Sequence, residues 1–104
     1  MTFGEIYLCQ FVLTSGAGGK VRPALVLFDL DDDAIICRIT SVSRSGTLDV
    51  ALTDWESAGL LKPSVVRLGK IVTAEKAILF RRLGVLGRTD AEAVRNVWNR
   101  MMQL

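Results

Sequence analysis

The sequence predicts a mainly β domain, a small barrel with a short inserted helix and one long C-terminal helix. Half of the 104 residues are hydrophobic, and most of them fall in short runs rich in β-formers that end at Gly, Pro or Asp. A single long stretch near the C-terminus has apolar residues at helical spacing instead. One helix laid on a bent sheet of about five or six strands suggests a small barrel. The length predicts a single domain covering residues 1–104.

The predicted strands follow the apolar runs in chain order. A glycine-rich segment at 14–20 is expected to be a mobile surface loop, because glycine costs too much backbone entropy in a regular element. Pro23 biases Arg22 toward extended geometry, so that a strand rather than a helix begins there. The following strand is apolar throughout and is expected to be buried on both faces. The predicted strands are 4–12, 24–30, 34–41, 48–52, 65–73 and 77–85.

Two Thr-x-x-Glu sequences predict helix N-termini. In Thr53–Glu56 and again at 89–92, the threonine hydroxyl could accept a hydrogen bond from the glutamate backbone, and the glutamate could reach back. Gly59 and Pro63 limit the first helix to a short one. The second helix is long, with Val94, Val97 and Trp98 on its apolar face. Trp55 and Trp98 are expected to be core or interface anchors.

Composition excludes several classes of site. The chain has no histidine, which removes Ser-His-Asp, Cys-His and most metal-hydrolase mechanisms. Cys9 and Cys37 lie in apolar runs and are expected to be reduced core thiols. No signal peptide or membrane-spanning run is present, so that a soluble, cytoplasmic protein without a membrane partner is expected. No metal or other cofactor is predicted.

Two segments resemble known phosphate- and calcium-binding motifs but lack residues that these motifs require. The segment ending at Lys20 resembles a phosphate loop, but Val21 stands where Ser or Thr is needed, and Pro23 blocks the helix that should follow. The acids at 29–33 resemble the start of a calcium loop, but Ala34 replaces the required glycine. These acids are expected to form a solvated hairpin turn.

Several motifs occur in a fixed order along the chain. They are Gly4-Glu5-Ile6-Tyr7, Gly-Gly-Lys-Val-Arg-Pro followed by an apolar strand at 18–27, Ile39-Thr40-Ser41, and Ser64-Val65-Val66-Arg67-Leu68. In this order they resemble the MazF/PemK family of toxin endoribonucleases, and 52–68 is similar to its PemK-like branch. The resemblance runs from Gly4 to the terminal helix.

The resemblance implies an SH3-like barrel with a C-terminal helix, acting as a homodimer and as the toxin of a type II toxin–antitoxin pair. Such toxins cut single-stranded mRNA without a metal, leaving a 2′,3′-cyclic phosphate and a 5′-hydroxyl, and a cognate antitoxin blocks the groove. By position, the family's arginine falls on Arg22 and its catalytic threonine on Thr40. A further basic residue of some members falls on Arg67. Where some members have an acid, this chain has Gly69.

The chemistry of these residue types agrees with the resemblance. Attack by the 2′-hydroxyl builds negative charge on the phosphorane, and the Arg22 guanidinium offers two fixed donors for it. The Thr40 hydroxyl can bond a non-bridging oxygen or orient the 2′-hydroxyl. Arg38 shares a strand face with Thr40 under strict alternation. The residues predicted to contact RNA are Ser15, Lys20, Arg38, Ser41 and Arg67.

The sequence is also compatible with other functions and with other roles for Arg22. Arg22 could pair with Asp49 or Glu5 instead of binding a substrate. The chain could be a protein-binding toxin of the CcdB-like type, acting through its C-terminal helix and tail. It could also be a catalytically inactive, RNA-binding relative, since no histidine is available for proton transfer. Arg81 and Arg82 are predicted to point to opposite faces of their strand.

Overall fold

The computed structural model describes residues 1–12 and 19–104, and the predicted glycine-rich loop lies mostly outside these residues. The described residues form a mainly β fold with a C-terminal helix, as predicted. The elements are β1 (Glu5–Val12), β2 (Gly19–Leu30), β3 (Asp33–Thr40), β4 (Asp49–Ala51), β5 (Val65–Glu75), a 3₁₀ turn (Lys76–Ile78), β6 (Leu79–Val85) and α1 (Arg88–Met101).

The strands form one antiparallel sheet in the order β4-β5-β3-β2-β1-β6. Its two edge strands are not hydrogen-bonded to each other in the described part of the chain. The turn after β4 nevertheless contacts β6. Gly59 in this turn lies so close to the Leu83 carbonyl oxygen that a Cβ at this position would collide with it. Gly59 also has a φ of +94°, which disfavours side chains. In the described residues, the segment after edge strand β4 is therefore joined to edge strand β6 by this contact, and the sheet does not close through a continuous ladder.

Apolar residues are buried on both faces of the central strands. One cluster contains Leu25 and Ile39 and is covered by Val94 of α1. The other contains Ala24 and Ile36 on the opposite face. The strand predicted over 24–30 is buried on both faces as far as Leu27, after which its residues are exposed.

Both cysteines are free and fully buried, as predicted. Burial raises the pKa of the Cys37 thiol to about 12. Burial also raises the pKa of Cys9 to about 11, against an opposing effect of the Arg38 charge. Neither thiol is therefore ionised near neutral pH, and both behave as small core side chains.

The prediction of a short inserted helix was wrong. Residues 53–59 form bends and hydrogen-bonded turns, including a bond from the Leu60 N–H to the Trp55 carbonyl. The Thr53 hydroxyl donates to the Asp90 carboxylate at 2.9 Å, so that it does not cap its own segment. Because this partner lies 37 residues away in the chain, a local capping signal could not reveal it.

The long helix was predicted correctly, but its capping box was not. Residue Gly87 occupies the N-cap position and no side chain caps the helix. Asp90 is 1% exposed, and its carboxylate accepts bonds from the backbone N–H groups of Thr53 and Asp54 at 2.9 Å each. The apolar face of α1 packs on the core as predicted, through Val94, Val97 and Trp98. Trp55 packs there too.

The acids at 29–33 form a tight hairpin between β2 and β3. Leu30 pairs with Asp33, and Asp31 has a φ of 66°. The Asp29 carboxylate accepts from the Asp31 N–H at 2.9 Å and pairs with Lys76. Hydrogen bonds from Lys76, the α-amino group of Met1 and the Asp31 backbone N–H hold the pKa of Asp29 far below its usual value.

In the described residues, no helix is long and apolar enough to cross a membrane.

Candidate functional site

A groove of about 820 Å³ opens at the end of the sheet where β2 begins and β3 ends. The groove is lined by the start of β2, the end of β3 and Leu8 of β1, and on a second side, called here the second wall, by segment 59–64 together with β6. Arg22, Thr40 and Ser41, three of the predicted site residues, line this groove. The hairpin of β2 and β3 therefore brings Arg22, near its beginning, and Thr40, at its end, into the same groove.

The register of β2 and β3 explains why Arg22 and Thr40 meet. Ala24 pairs with Arg38, so that continuing the same register by two residues brings Arg22 opposite Thr40 on the same face. Arg22 is exposed and donates one hydrogen bond, at 3.0 Å, to the carbonyl of its neighbour Val21. Among the described residues it makes no ion pair, so the predicted alternative of a pairing with Asp49 or Glu5 was wrong.

The Thr40 hydroxyl is oriented by the backbone that follows it. The Val42 N–H donates to the Thr40 Oγ1 at 3.1 Å, which is a local Ser/Thr turn. The hydroxyl oxygen thereby accepts one bond, and the hydroxyl proton is available to a ligand in the groove. Thr40 is only partly buried.

The other predicted contact residues lie outside the groove. Lys20, Arg38 and Arg67 are on the same face of the sheet as Arg22 and Thr40, because the ladders place them at matching positions. None of these three lines the groove. Ser15 lies outside the described residues.

Arg38 and Arg67 face each other directly across β3 and β5. Two like charges in this position repel, and each is compensated separately. The Arg38 guanidinium lies 4.9 Å from the centre of the Phe11 ring, and Arg67 pairs with Asp49 at 3.2 Å. Both guanidinium groups are therefore already engaged within the protein.

Sequence reasoning missed three basic residues of the groove, which are Lys62, Arg81 and Arg82. Arg81 and Arg82 pair with the consecutive residues Leu8 and Tyr7, so that they leave the strand on opposite faces, as predicted. The expectation that at most one of them would line a given surface was wrong, because both line the groove. For Lys62, the available signal was its position between an apolar pair and Pro63, just before a predicted strand.

The groove lining contains four basic residues and no acidic one among the described residues. Arg82 is the only one of the four with a carboxylate partner in that part of the chain, Glu5 at 3.1 Å. Partial burial raises the pKa of the Glu5 carboxyl, but hydrogen bonds from Thr2, Tyr7 and Arg82 outweigh it and lower the pKa to about 2. Glu5 is thus ionised at neutral pH and holds Arg82.

Apolar side chains complete the groove. Leu61 is 94% exposed and Val42 56% exposed at its rim. Exposed apolar groups beside unpaired cations suit a ligand that carries both flat apolar surface and negative charge. In the part of the chain that the structure describes, no cluster of three or more His, Cys, Asp or Glu side chains could hold a metal ion.

A second, mainly apolar cavity of about 330 Å³ lies between α1 and β2. Phe28 and Trp98 meet there edge to face, with ring centres 5.7 Å apart. It contains none of the predicted site residues.

Comparisons with known proteins agree with the fold. The sequence profile of the family described as "PemK-like, MazF-like toxin of type II toxin-antitoxin system" matches residues 2–102. A search of curated proteins gives no match.

Three solved structures illustrate the likeness. An endoribonuclease in complex with its cognate antitoxin, from a mycobacterial species, is 20% identical with a TM-score of 0.79, over 98% of this chain and 94% of that one. The Mycobacterium tuberculosis toxin MazF-mt6 is 25% identical with a TM-score of 0.71, over 91% and 96%. MazF from Deinococcus radiodurans is 19% identical with a TM-score of 0.77, over 100% and 97%.

Proposed function

The chain belongs to the PemK-like, MazF-like toxins of type II toxin–antitoxin systems, and on that basis we propose that it is an endoribonuclease that cuts single-stranded mRNA at specific short sequences. The observation that supports the proposal is the groove itself, which Arg22 and Thr40 line together with further basic residues. Its place of action would be the cytoplasm, where mRNA is translated.

The proposed reaction is an internal transesterification. The ribose 2′-oxygen forms a bond to the adjacent phosphorus while the bond from phosphorus to the 5′-oxygen breaks. The 2′-hydroxyl loses a proton and the leaving 5′-oxygen gains one, giving a 2′,3′-cyclic phosphate and a 5′-hydroxyl. No oxidant and no metal ion is required for this balance.

Arg22 and Thr40 are proposed to stabilise the charge that develops on the phosphate oxygens. Arg22 uses one of its five donors on the Val21 carbonyl and keeps the others for the phosphorane. Thr40 accepts the Val42 N–H and donates its own proton to a non-bridging oxygen. Because the groove lining described here has no carboxylate or imidazole, water is proposed to carry the protons.

The remaining predicted residues are proposed to extend the RNA path. Ser41 lines the groove next to Thr40, and Lys20, Arg38 and Arg67 continue a basic face outside it. Ser15 is proposed to contact a phosphate from the glycine-rich segment.

The proposed partners follow the family. The chain is proposed to act as a homodimer, which light scattering tests, and to be inhibited by a cognate antitoxin. Solved relatives include an endoribonuclease with its cognate antitoxin and a MazE-MazF structure. A small acidic reading frame beside the gene would identify the antitoxin.

The test is incubation of the purified protein with a long mRNA in EDTA, followed by mapping of the cuts. The wild-type protein is expected to make discrete cuts. Arg22→Ala and Thr40→Ala are each expected to slow cutting on the order of a hundredfold or more, the usual cost of a lost transition-state donor. Arg88→Ala is the control, because Arg88 is an exposed arginine of α1 whose ion pair within the described residues is with Glu92.

The outcome decides between the candidates. Absence of cuts with every mRNA, or equal cutting by Arg22→Ala with unchanged circular dichroism, would refute the nuclease proposal. RNA binding without any cleavage would favour the inactive RNA-binding relative. The CcdB-like alternative is weakened by the packing of the α1 apolar face on the core, and a C-terminal truncation that kept the fold but lost toxicity would restore it.

A further inference from the structure

We propose that Lys62 and Arg81, on the second wall of the groove that Arg22 and Thr40 line, bind RNA backbone phosphates next to the one that is cleaved. This inference rests on the proposed function of the groove. It adds a second phosphate-binding wall that the sequence motifs do not contain.

Arg81 and Lys62 are the free cations of that wall. Both are exposed and line the groove, and neither has a carboxylate within ion-pair distance among the described residues. The neighbouring Arg82 differs, because Glu5 holds its guanidinium at 3.1 Å. Of these two adjacent arginines, Arg82 is therefore held within the protein, whereas Arg81 can bind a ligand in the groove.

The sheet register sets the distance between Arg81 and the Arg22 wall. Leu8 pairs with Arg81 on one side and with Pro23 on the other. Two interstrand spacings therefore separate β6 from β2, which is about 10 Å. Arg22 pairs with Cys9, the neighbour of Leu8, so that Arg22 and Arg81 leave the sheet on different faces and both reach the groove at the end of the sheet. Guanidinium groups that start this far apart can reach different phosphates of one strand, rather than compete for the same one.

The backbone beside Lys62 is held in place. Pro63 fixes its own φ, the Ser64 hydroxyl donates to the Lys62 carbonyl at 2.8 Å, and the Leu52 N–H donates to the Ser64 carbonyl at 3.0 Å. The ammonium group is therefore carried by a fixed segment, although its own side chain is exposed.

Charge balance gives the independent argument. Arg22, Lys62 and Arg81 bring three cations to one groove whose described lining has no acid, and their mutual repulsion is relieved only by anions from outside. A single phosphate would match one of them. A strand with several phosphates matches all three, and the exposed Leu61 beside them offers apolar surface to a base.

The experiment measures binding without cleavage. Fluorescence anisotropy gives the affinity of a short single-stranded RNA, fully 2′-O-methylated so that it cannot be cut, at salt concentrations between about 50 and 200 mM. Lys62→Ala and Arg81→Ala are each expected to reduce the slope of log affinity against log salt by about 0.7, the value for one phosphate contact on a single strand. Arg81→Lys is expected to keep the slope, because the charge remains.

Two controls isolate the effect. Arg88→Ala removes the same charge from α1, away from the groove, and is expected to leave the slope unchanged. Arg82→Ala removes the paired neighbour and is expected to change the slope less than Arg81→Ala. Circular dichroism and the melting temperature establish that each variant is folded.

Wild-type slopes in both folded alanine variants would overturn the inference, and so would the absence of wild-type binding. The proposed nuclease function is judged separately by cutting. Cutting with unchanged slopes refutes only the second wall, whereas the expected slopes without cutting refute only the nuclease.

Discussion

Asp90 is expected to be the residue whose loss most weakens the wall of the groove. Its carboxylate is 1% exposed and accepts three hydrogen bonds of 2.9 Å from Thr53 and Asp54. These bonds hold the segment that continues into the groove wall at 59–64. A typical hydrogen bond contributes about 1 kcal/mol net to stability, and one to a charged group about 1.5 kcal/mol or more. Asp90→Ala should therefore lower the free energy of unfolding by about 3–4 kcal/mol, a large share of the usual 5–15 kcal/mol.

Asp90→Asn separates the charge from the geometry. The amide keeps an oxygen for Thr53 but turns an NH₂ group toward the Asp54 N–H, so that a loss of about 1–2 kcal/mol is expected. Glu92→Gln on the same helix is the control, because Glu92 is exposed and its ion pair in the part of the chain that the structure describes is with Arg88. Its change should stay within about 0.5 kcal/mol.

Urea unfolding followed by tryptophan fluorescence measures these differences, since Trp55 and Trp98 both pack on the core. For a domain of this size, the alanine variant should melt at least about 12 °C lower. If Asp90→Ala melts within a degree or two of the wild type, the reasoning about this buried carboxylate is refuted.

Two further predictions concern the folded state. In the folded protein the pKa of Glu5 is lowered from 4.5 to about 2. The stability that this carboxylate contributes is therefore present above pH 4.5 and is lost as the pH falls toward 2. After allowance for solvent screening, that contribution to the free energy of unfolding is about 2 kcal/mol. Glu5→Gln should remove that part of the acid destabilisation in urea titrations at several pH values, and an unchanged pH profile would contradict it. Gly59→Ala should lower stability by at least about 2 kcal/mol, because of its positive φ and the contact with the Leu83 carbonyl. Gly69→Ala is its control, because a Cβ there would make only ordinary van der Waals contact with Leu48, and equal effects of the two in thermal melts would count against the contact.

The strands were predictable because each is specified locally. Short apolar runs with turn residues at both ends located the described strands, and Pro23 correctly excluded a helix after the glycine-rich segment. The prediction of a loop as far as Lys20 was wrong, because β2 begins at Gly19 and its first residues pair with the end of β1. The helix α1 was equally clear from its apolar spacing. Local signals succeed here because packing and propensity favour the same element.

The capping boxes failed for a physical reason. Thr53 and Asp90 each belong to a segment that looks self-capping, yet the two side chains bond to each other across the fold. A buried carboxylate that accepts three donors gains more than an exposed cap offers. Tertiary partners of this kind leave no local pattern in the sequence.

The groove was only half predictable. Arg22 and Thr40 lie in recognisable motifs, whereas Lys62 and Arg81 carry no motif and join the groove only through the curl of the sheet. Strict alternation correctly places Arg81 and Arg82 on opposite faces of β6, but it cannot show that one groove contains both residues.

The central claim is that this groove cuts RNA by attack of the RNA's own 2′-hydroxyl, with Arg22 and Thr40 stabilising the phosphorane. The most direct measurement uses an oligonucleotide containing a mapped cut site and a copy with a single 2′-deoxy sugar on the 5′ side of the cut. We expect the ribose form to be cut in EDTA to a 2′,3′-cyclic phosphate and a 5′-hydroxyl. The deoxy form should stay intact, because it lacks the attacking 2′-hydroxyl. Equal cutting of both forms, or a 5′-phosphate on the product, would contradict it.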